Sequence, residues 1–289
     1  MYIEPIECKR CGRKGRPGEK GFRSSSHGTR EDLHCDCGSD FVVDPAHDQR
    51  ILSRNAFVRL SAASNHEEDG VVTTLAPGRA TKVVFAKPFD FPCKAFLTPQ
   101  GGPMLVKESM IRKDGMTLLS SVFPNEAGDA SEQQVSWLVH GLVDIDKLPT
   151  WYVHFYSAIA HAENGFCKPA LLDYAVAFET FVETFLEEHL RQKYGSQVAE
   201  YLLRRTWHIE DRVKGLLELA TEHRLSERED VYQPWDKHVR GPRNDLSHGL
   251  SVSVNEEAVE RAHQAVYQAL RWIQDTSTQQ AGNMGVART

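Results

Sequence analysis

The hydrophobic period of this chain changes once, near Pro149, and that change limits the folds open to it. Over residues 50–148, short apolar runs are punctuated by Gly and Pro. Val71-Val72-Thr73-Thr74-Leu75, Lys82-Val83-Val84-Phe85-Ala86, Ala95-Phe96-Leu97-Thr98 and Val135-Ser136-Trp137-Leu138-Val139 read as strands. Their β-branched and aromatic content, with repeated turn signals, predicts an antiparallel sandwich or barrel. Over 149–275 apolar residues instead recur every three to four positions, the spacing of amphipathic helices. A chain that switches period in this way is expected to be a multidomain α+β protein rather than an alternating βαβ fold.

Four to five helices are predicted after Pro149. Thr150 is the expected N-cap of the first, which turns Trp151, Phe155, Ala158, Ile159 and Ala162 inward and ends at Gly165. The second carries Leu171, Tyr174, Ala175, Phe178, Phe181, Val182 and Phe185 on one stripe. A third has Ile209, Val213, Leu216, Leu217 and Ala220. Gly241-Pro242 reads as a break between helices, with Pro in the first turn of the next one. The last helix begins near Asn255, where Ser253 and Glu256 have the spacing of a capping box. Helices of this kind joined by short loops form a small bundle. Residues 276–289 are polar and Gly-containing and read as a flexible tail.

Residues 1–49 have few large apolar groups and carry four of the six cysteines, Cys8, Cys11, Cys35 and Cys37. Cys8-Lys9-Arg10-Cys11-Gly12 and Cys35-Asp36-Cys37-Gly38 each put two thiolates on a tight turn. Two such turns suit tetrahedral Zn²⁺ with sulfurs at ~2.3 Å, closed to water and therefore structural. The pattern resembles a zinc ribbon whose second knuckle has one residue between cysteines rather than two, and His27 and His34 are alternative ligands. A structural zinc would stabilise this segment by on the order of 10 kcal/mol.

Overall composition is that of an ordinary globular chain, 40% hydrophobic and 26% charged, with a formal net charge of −6. The charge is uneven. Residues 8–30 hold eight Lys and Arg against the single acid Glu19, whereas 150–289 hold 15 basic and 20 acidic residues. Lys9, Arg10, Arg13, Lys14 and Arg16 are thus the candidate phosphate contacts. No stretch approaches the ~18–20 apolar residues of a spanning helix, and the N-terminus lacks a signal-peptide pattern, so a cytoplasmic protein without a membrane partner is expected.

The chemistry-bearing segment is Arg243-Asn244-Asp245-Leu246-Ser247-His248. In a helical turn, Asn244 and His248 lie at i and i+4 on one face. Arg243 falls at the N-terminal edge, where free backbone N–H groups favour anions. A guanidinium, a carboxamide and an imidazole on one small surface suit a phosphodiester. On a helical bundle this segment resembles the HEPN superfamily, most nearly its Apea-like branch, over about residues 165–275.

That resemblance implies a metal-independent endoribonuclease acting as a dimer. His248 would be the general base for the RNA 2′-OH, Arg243 the phosphate holder, and Asn244 an orienting group. It also implies an acid on the second helix, Glu179, either paired with Arg243 or solvent-facing in a row with Glu183 and Glu187. Non-cleaving relatives make a binding-only RNA or protein scaffold the second expectation. An RNase of this type would be a defence or toxin effector, with its N-terminal modules reading a protein trigger or phage component. His208, His223, His238 and His263 read as ordinary helix-surface or interface residues, and Cys93 and Cys167 as isolated thiols.

Between these segments, residues 82–141 run Val-x-Phe-x-x-Pro-Phe, then Gly115-Met116-Thr117-Leu118, then Trp137-Leu138-Val139-His140-Gly141. The order resembles the H-type lectin sandwich found also at phage tail-fibre tips. It implies a fold rather than sugar binding, with Trp137 and Phe85 as core residues. A surface-recognition protein led by this sandwich is the third reading. The divisions expected are therefore 1–49, zinc ribbon-like; 50–148, sandwich; 149–275, HEPN-like bundle; and 276–289, tail.

Overall fold

The computed structural model describes residues 6–7, 14–15, 22–27, 30–35, 39–41, 56–74, 79–100, 104–122, 133–251 and 253–286. The fold is α+β, and the chain separates into two compact units, Met1–Lys147 and Leu148–Thr289.

The first unit opens with β1 (Ile6–Glu7) paired antiparallel to β2 (Lys14–Gly15). β3 (Phe22–His27), β4 (Arg30–Cys35) and β5 (Ser39–Phe41) follow as an antiparallel sheet in which Phe22 faces Cys35 and Leu33 faces Phe41. Cys35 closes β4, while Cys8, Cys11 and Cys37 lie outside the described residues, as do Lys9, Arg10, Arg13 and Arg16. Lys14 opens β2.

A helix, α1 (Ala56–Ala63), precedes six strands: β6 (His66–Thr74), β7 (Ala80–Val84), β8 (Phe91–Pro99), β9 (Met104–Arg112), β10 (Gly115–Val122) and β11 (Gln133–Leu142). They form two antiparallel sheets, β7-β10-β9 and β6-β11-β8. Side chains alternate across a strand, so every second residue enters the core. Val83, Met116 and Leu118 from one sheet meet Ala95, Val135, Trp137 and Val139 from the other in one cluster with Phe85 and Phe89. Phe85 and Trp137 are buried with ring centroids 5.9 Å apart, which accounts for both as core residues. Gly141 follows a bulge in β11, and a Cβ there would lie 2.3 Å from Phe89 Cδ1, so only glycine lets the ring seat.

Two elements depart from the sequence reading. The segment 50–148 contains α1 as well as strands, and β9 and β10 form a hairpin across Lys113-Asp114 that alternation did not mark. Gly115, the first residue after this turn, is required by packing: a Cβ there would lie 2.3 Å from the Val83 carbonyl oxygen of β7.

The second unit is helical: α2 (Thr150–Glu163), α3 (Cys167–Tyr194), α4 (Ser196–Arg205), α5 (Ile209–Asp211), α6 (Leu217–Thr221), α7 (Glu229–Trp235), α8 (Gly241–Ser247) and α9 (Glu256–Val286). The 28-residue α3 packs against α2, α4, α6, α8 and α9 and supplies Leu171, Tyr174, Phe178, Val182 and Leu186 to the core. Phe178 meets Trp235 at 4.8 Å between centroids. His263 is fully buried, with Nδ1 2.9 Å from the Tyr174 hydroxyl, so it is a core residue and not the surface one expected.

The helix ends correct four expectations. Pro149, not Thr150, occupies the N-cap of α2, and no side chain caps it. Asn255 caps α9 by accepting the Ala258 N–H at 2.9 Å, so the Ser253–Glu256 spacing is not a capping box. Residues 276–286 continue α9 instead of starting a tail, and the Thr276 hydroxyl bonds back to the Ile273 carbonyl. Finally, Gly241-Pro242 does not break the run of helical backbone. A π-helical turn, Asp236–Arg240, joins α7 to α8, with Arg240 and Gly241 still in right-handed helical geometry. The Gly241 N–H bonds to the Asp236 carbonyl, five residues back. Pro242 has no N–H to give to residue 238, and a wider turn ahead of it accommodates the missing donor and the ring. A second π turn, Arg212–Leu216, links α5 to α6.

Candidate functional site

The sequence-marked residues fall on the short α8 and on the face of α3 against it. Arg243 is the third residue of α8, and its Nη2 donates to Glu179 Oε2 on α3 at 3.2 Å. Its Nη1 reaches the neighbouring Asn244 Oδ1 at 3.4 Å. Both partners of the ion pair are about one-third exposed. Glu179 is therefore paired with Arg243, the first of the two alternatives that the sequence left open. Its row separates by partner: Glu183 pairs with Arg212 at 3.4 Å, and Glu187 with Arg191 one turn along α3.

Arg212 was not marked by sequence reasoning, because it lies on the flank of an apolar stripe 31 residues before Arg243. It is nearly buried, donates Nε to the Thr206 carbonyl at 2.7 Å, and stands close enough to act on Glu179. Two carboxylates one helical turn apart thus face two guanidinium groups from different elements. Burial pushes the Glu179 carboxyl up from its ordinary value, and the positive charges of Arg243 and Arg212 only partly oppose this.

Asn244 and His248 are one turn apart, with the His248 N–H bonded to the Asn244 carbonyl at 3.0 Å. His248 is the C-cap residue of α8. Gly249, at φ +72°, then ends the helix in a Schellman arrangement: the Leu250 N–H reaches the Asp245 carbonyl at 2.9 Å, and the Gly249 N–H reaches Leu246 at 3.1 Å. The His248 ring is exposed and makes no hydrogen bond among the described residues, so it is open to a ligand. The arrangement offers a half-engaged guanidinium, a carboxamide and an accessible imidazole within one and a half turns. That set can bind an anion and exchange a proton with it.

A second polar cluster escaped the sequence reading. Asp173 on α3 receives His154 Nδ1 at 3.3 Å, Ser157 Oγ at 2.6 Å and His161 Nδ1 at 2.9 Å, all from α2. The signal was present as His154, Ser157 and His161 at i, i+3 and i+7, one stripe of a helix. Of the other histidines, His208 is exposed with its ring tilted against that of Trp207, and His223 is exposed. Among the described residues no group of three or more His, Cys, Asp or Glu side chains could hold a metal ion, and no helix is long and apolar enough to cross a membrane. Comparison with family models, curated proteins and solved structures finds no match to this chain.

Proposed function

We propose that the helical unit is a HEPN-type RNA-directed site and that the chain is a metal-independent endoribonuclease acting as a dimer. The observation that carries this reading is the pairing of Arg243 with Glu179 while His248, one turn past Asn244, stays exposed at the end of α8. Glu179 holds the guanidinium by Nη2 and Asn244 holds it by Nη1, which leaves Nε and the second proton of each Nη for a phosphate.

In the reaction, Arg243 binds the scissile phosphate and stabilises its developing charge, and Asn244 orients it. His248 takes the proton of the 2′-OH as that oxygen bonds to phosphorus. The phosphorus–5′-oxygen bond breaks, and the leaving oxygen needs a proton from a second acid. One exposed histidine per α8 cannot be base and acid in the same step, so His248 of a second copy supplies it. The products are a 2′,3′-cyclic phosphate and a 5′-hydroxyl.

The N-terminal modules complete the reading. Residues 1–49 are a zinc ribbon-like segment with structural Zn²⁺ on Cys8, Cys11, Cys35 and Cys37, and with Lys9, Arg10, Arg13, Lys14 and Arg16 toward phosphates. Residues 50–148 form an H-type lectin-like sandwich and 149–275 the HEPN-like bundle. The protein is a cytoplasmic defence or toxin effector that these modules direct to a protein trigger or phage component. Purified protein should then carry one zinc per chain, and a clearly smaller content removes the ribbon.

A binding-only role is the second reading. It is favoured by the 20 acidic against 15 basic residues over 150–289, which give no long-range attraction to RNA. Incubation of total RNA with wild type, His248→Ala and Arg243→Ala separates the two. Cleavage by wild type alone supports the nuclease. Binding without cleavage by all three supports the scaffold, and cleavage that survives both substitutions removes these residues from the chemistry.

A further inference from the structure

We infer that a cleft between α7 and α9, on residues other than Arg243, Asn244 and His248, binds a free nucleoside phosphate. The cleft encloses about 690 Å³, within the roughly 300–1,000 Å³ of small-molecule sites. Arg224, Arg228 and Arg271 line it, together with Trp272. An indole face and three guanidinium groups on one concave surface match a ligand that carries a planar ring at one end and phosphate at the other.

Each arginine is positioned by a carboxylate through only part of its fork. Arg228 gives Nε and Nη2 to Asp230, both at 3.0 Å, and Arg224 gives Nε to Glu218 at 2.6 Å. Arg271 Nε lies 3.6 Å from Asp275, an ion pair beyond hydrogen-bond distance. Nη1 of Arg228, both Nη atoms of Arg224 and all the N–H donors of Arg271 make no hydrogen bond among the described residues. These are pre-oriented donors with spare capacity, the state in which a guanidinium binds phosphate most readily. Glu227, Asp230 and Asp275 also line the cleft, so its three guanidinium groups stand beside three carboxylates, which offer acceptors to sugar hydroxyls. Trp272, on α9 beside Arg271, is the surface on which the base stacks.

Calorimetric titration of the full chain with adenosine monophosphate, with adenosine and with inorganic phosphate tests the site. The monophosphate should bind, and the two fragments should bind at least about tenfold more weakly, because each satisfies only half of the cleft. The exposed pair Arg224→Gln/Arg228→Gln should weaken the monophosphate by about tenfold or more, the effect of losing charge-assisted bonds. Trp272→Leu should weaken the monophosphate and adenosine but leave inorganic phosphate unchanged. Arg243→Ala should bind as wild type does, so a failed nuclease assay leaves this result standing. No binding at millimolar monophosphate overturns the site. So does binding that the Arg224/Arg228 variant leaves intact, or binding that Arg243→Ala abolishes.

Discussion

The Glu179–Arg243 contact can be tested by a double-mutant cycle built from Glu179→Gln, Arg243→Gln and the double variant. At the observed 3.2 Å, the attraction of two unit charges is roughly 5 kcal/mol at an effective dielectric of about 20 and roughly 1.3 kcal/mol in bulk water. The side chains are 35% and 32% exposed, so solvent screens much of the larger figure. The contact is also a single N–H···O bond rather than a bidentate one, and exposed pairs of that kind couple by at most about 1 kcal/mol. The expected coupling is therefore about 0.5–1 kcal/mol, read from urea unfolding of the helical unit by far-ultraviolet circular dichroism. At about 1 M salt, where the screening length falls to about 3 Å, the coupling should shrink but not vanish, because the pair is only partly solvated.

The pH dependence has a definite sign. Burial raises the Glu179 carboxyl above its ordinary 4.5, so the folded state holds this proton more tightly than the unfolded chain. The contribution of Glu179 to stability is greatest below 4.5 and is lost as pH rises through the raised value. Glu179→Gln should remove that slope. A coupling within about 0.3 kcal/mol of zero at low salt, the usual error of additivity, would refute the pairing and with it the idea that α3 holds Arg243 in place.

Three other outcomes follow from the packing. Asp173→Ala removes the acceptor for His154, Ser157 and His161 together and should destabilise the helical unit by about 2 kcal/mol in urea; a loss below about 0.5 kcal/mol would mean that the cluster is absent in solution. Gly141→Ala drives a methyl group into Phe89 and should cost the β unit roughly 1–3 kcal/mol, seen as a lower thermal midpoint; an unchanged midpoint would contradict the ring position. His238 is held below its ordinary 6.5 by burial and then by Lys237 and Arg261, so its folded state resists protonation and stability falls as pH drops below 6.5. His238→Gln should flatten that part of the stability–pH curve, and an identical curve for the variant would refute the shift.

Side-chain period made four strands and the main helices legible, because a buried face must repeat with the geometry of its element. The hairpin β9–β10 was harder to see. Met104-Leu105-Val106-Lys107-Glu108-Ser109 does not alternate, and its partner strand stands out for the order Gly115-Met116-Thr117-Leu118 rather than for its pairing. The site was legible in part. Helical spacing relates Asn244 to His248 within α8, but the choice of Glu179 between solvent and Arg243 depends on how two helices meet across 64 positions. The same limit hid Arg212 and left Asp173 without its α2 partners. Gly241-Pro242 misled for a different reason. The pair carries strong breaking propensities, yet one widened turn satisfies both and the backbone stays helical.

That widened turn gives the rod a tolerance that its composition does not show. A π turn is an α-helix carrying one surplus residue, and it takes up that residue within a single turn, so the side chains beyond it keep nearly the phase of an uninterrupted helix. Deleting one position within 236–240 would let the ordinary ladder close and would leave Arg243-Asn244-Asp245-Leu246-Ser247-His248 chemically intact and still turned toward α3. What the deletion removes is the wide turn ahead of Pro242 that accommodates its ring and its missing N–H. The rod thus carries a spare residue ahead of its site, and a chain could shed that residue without moving the address of the site.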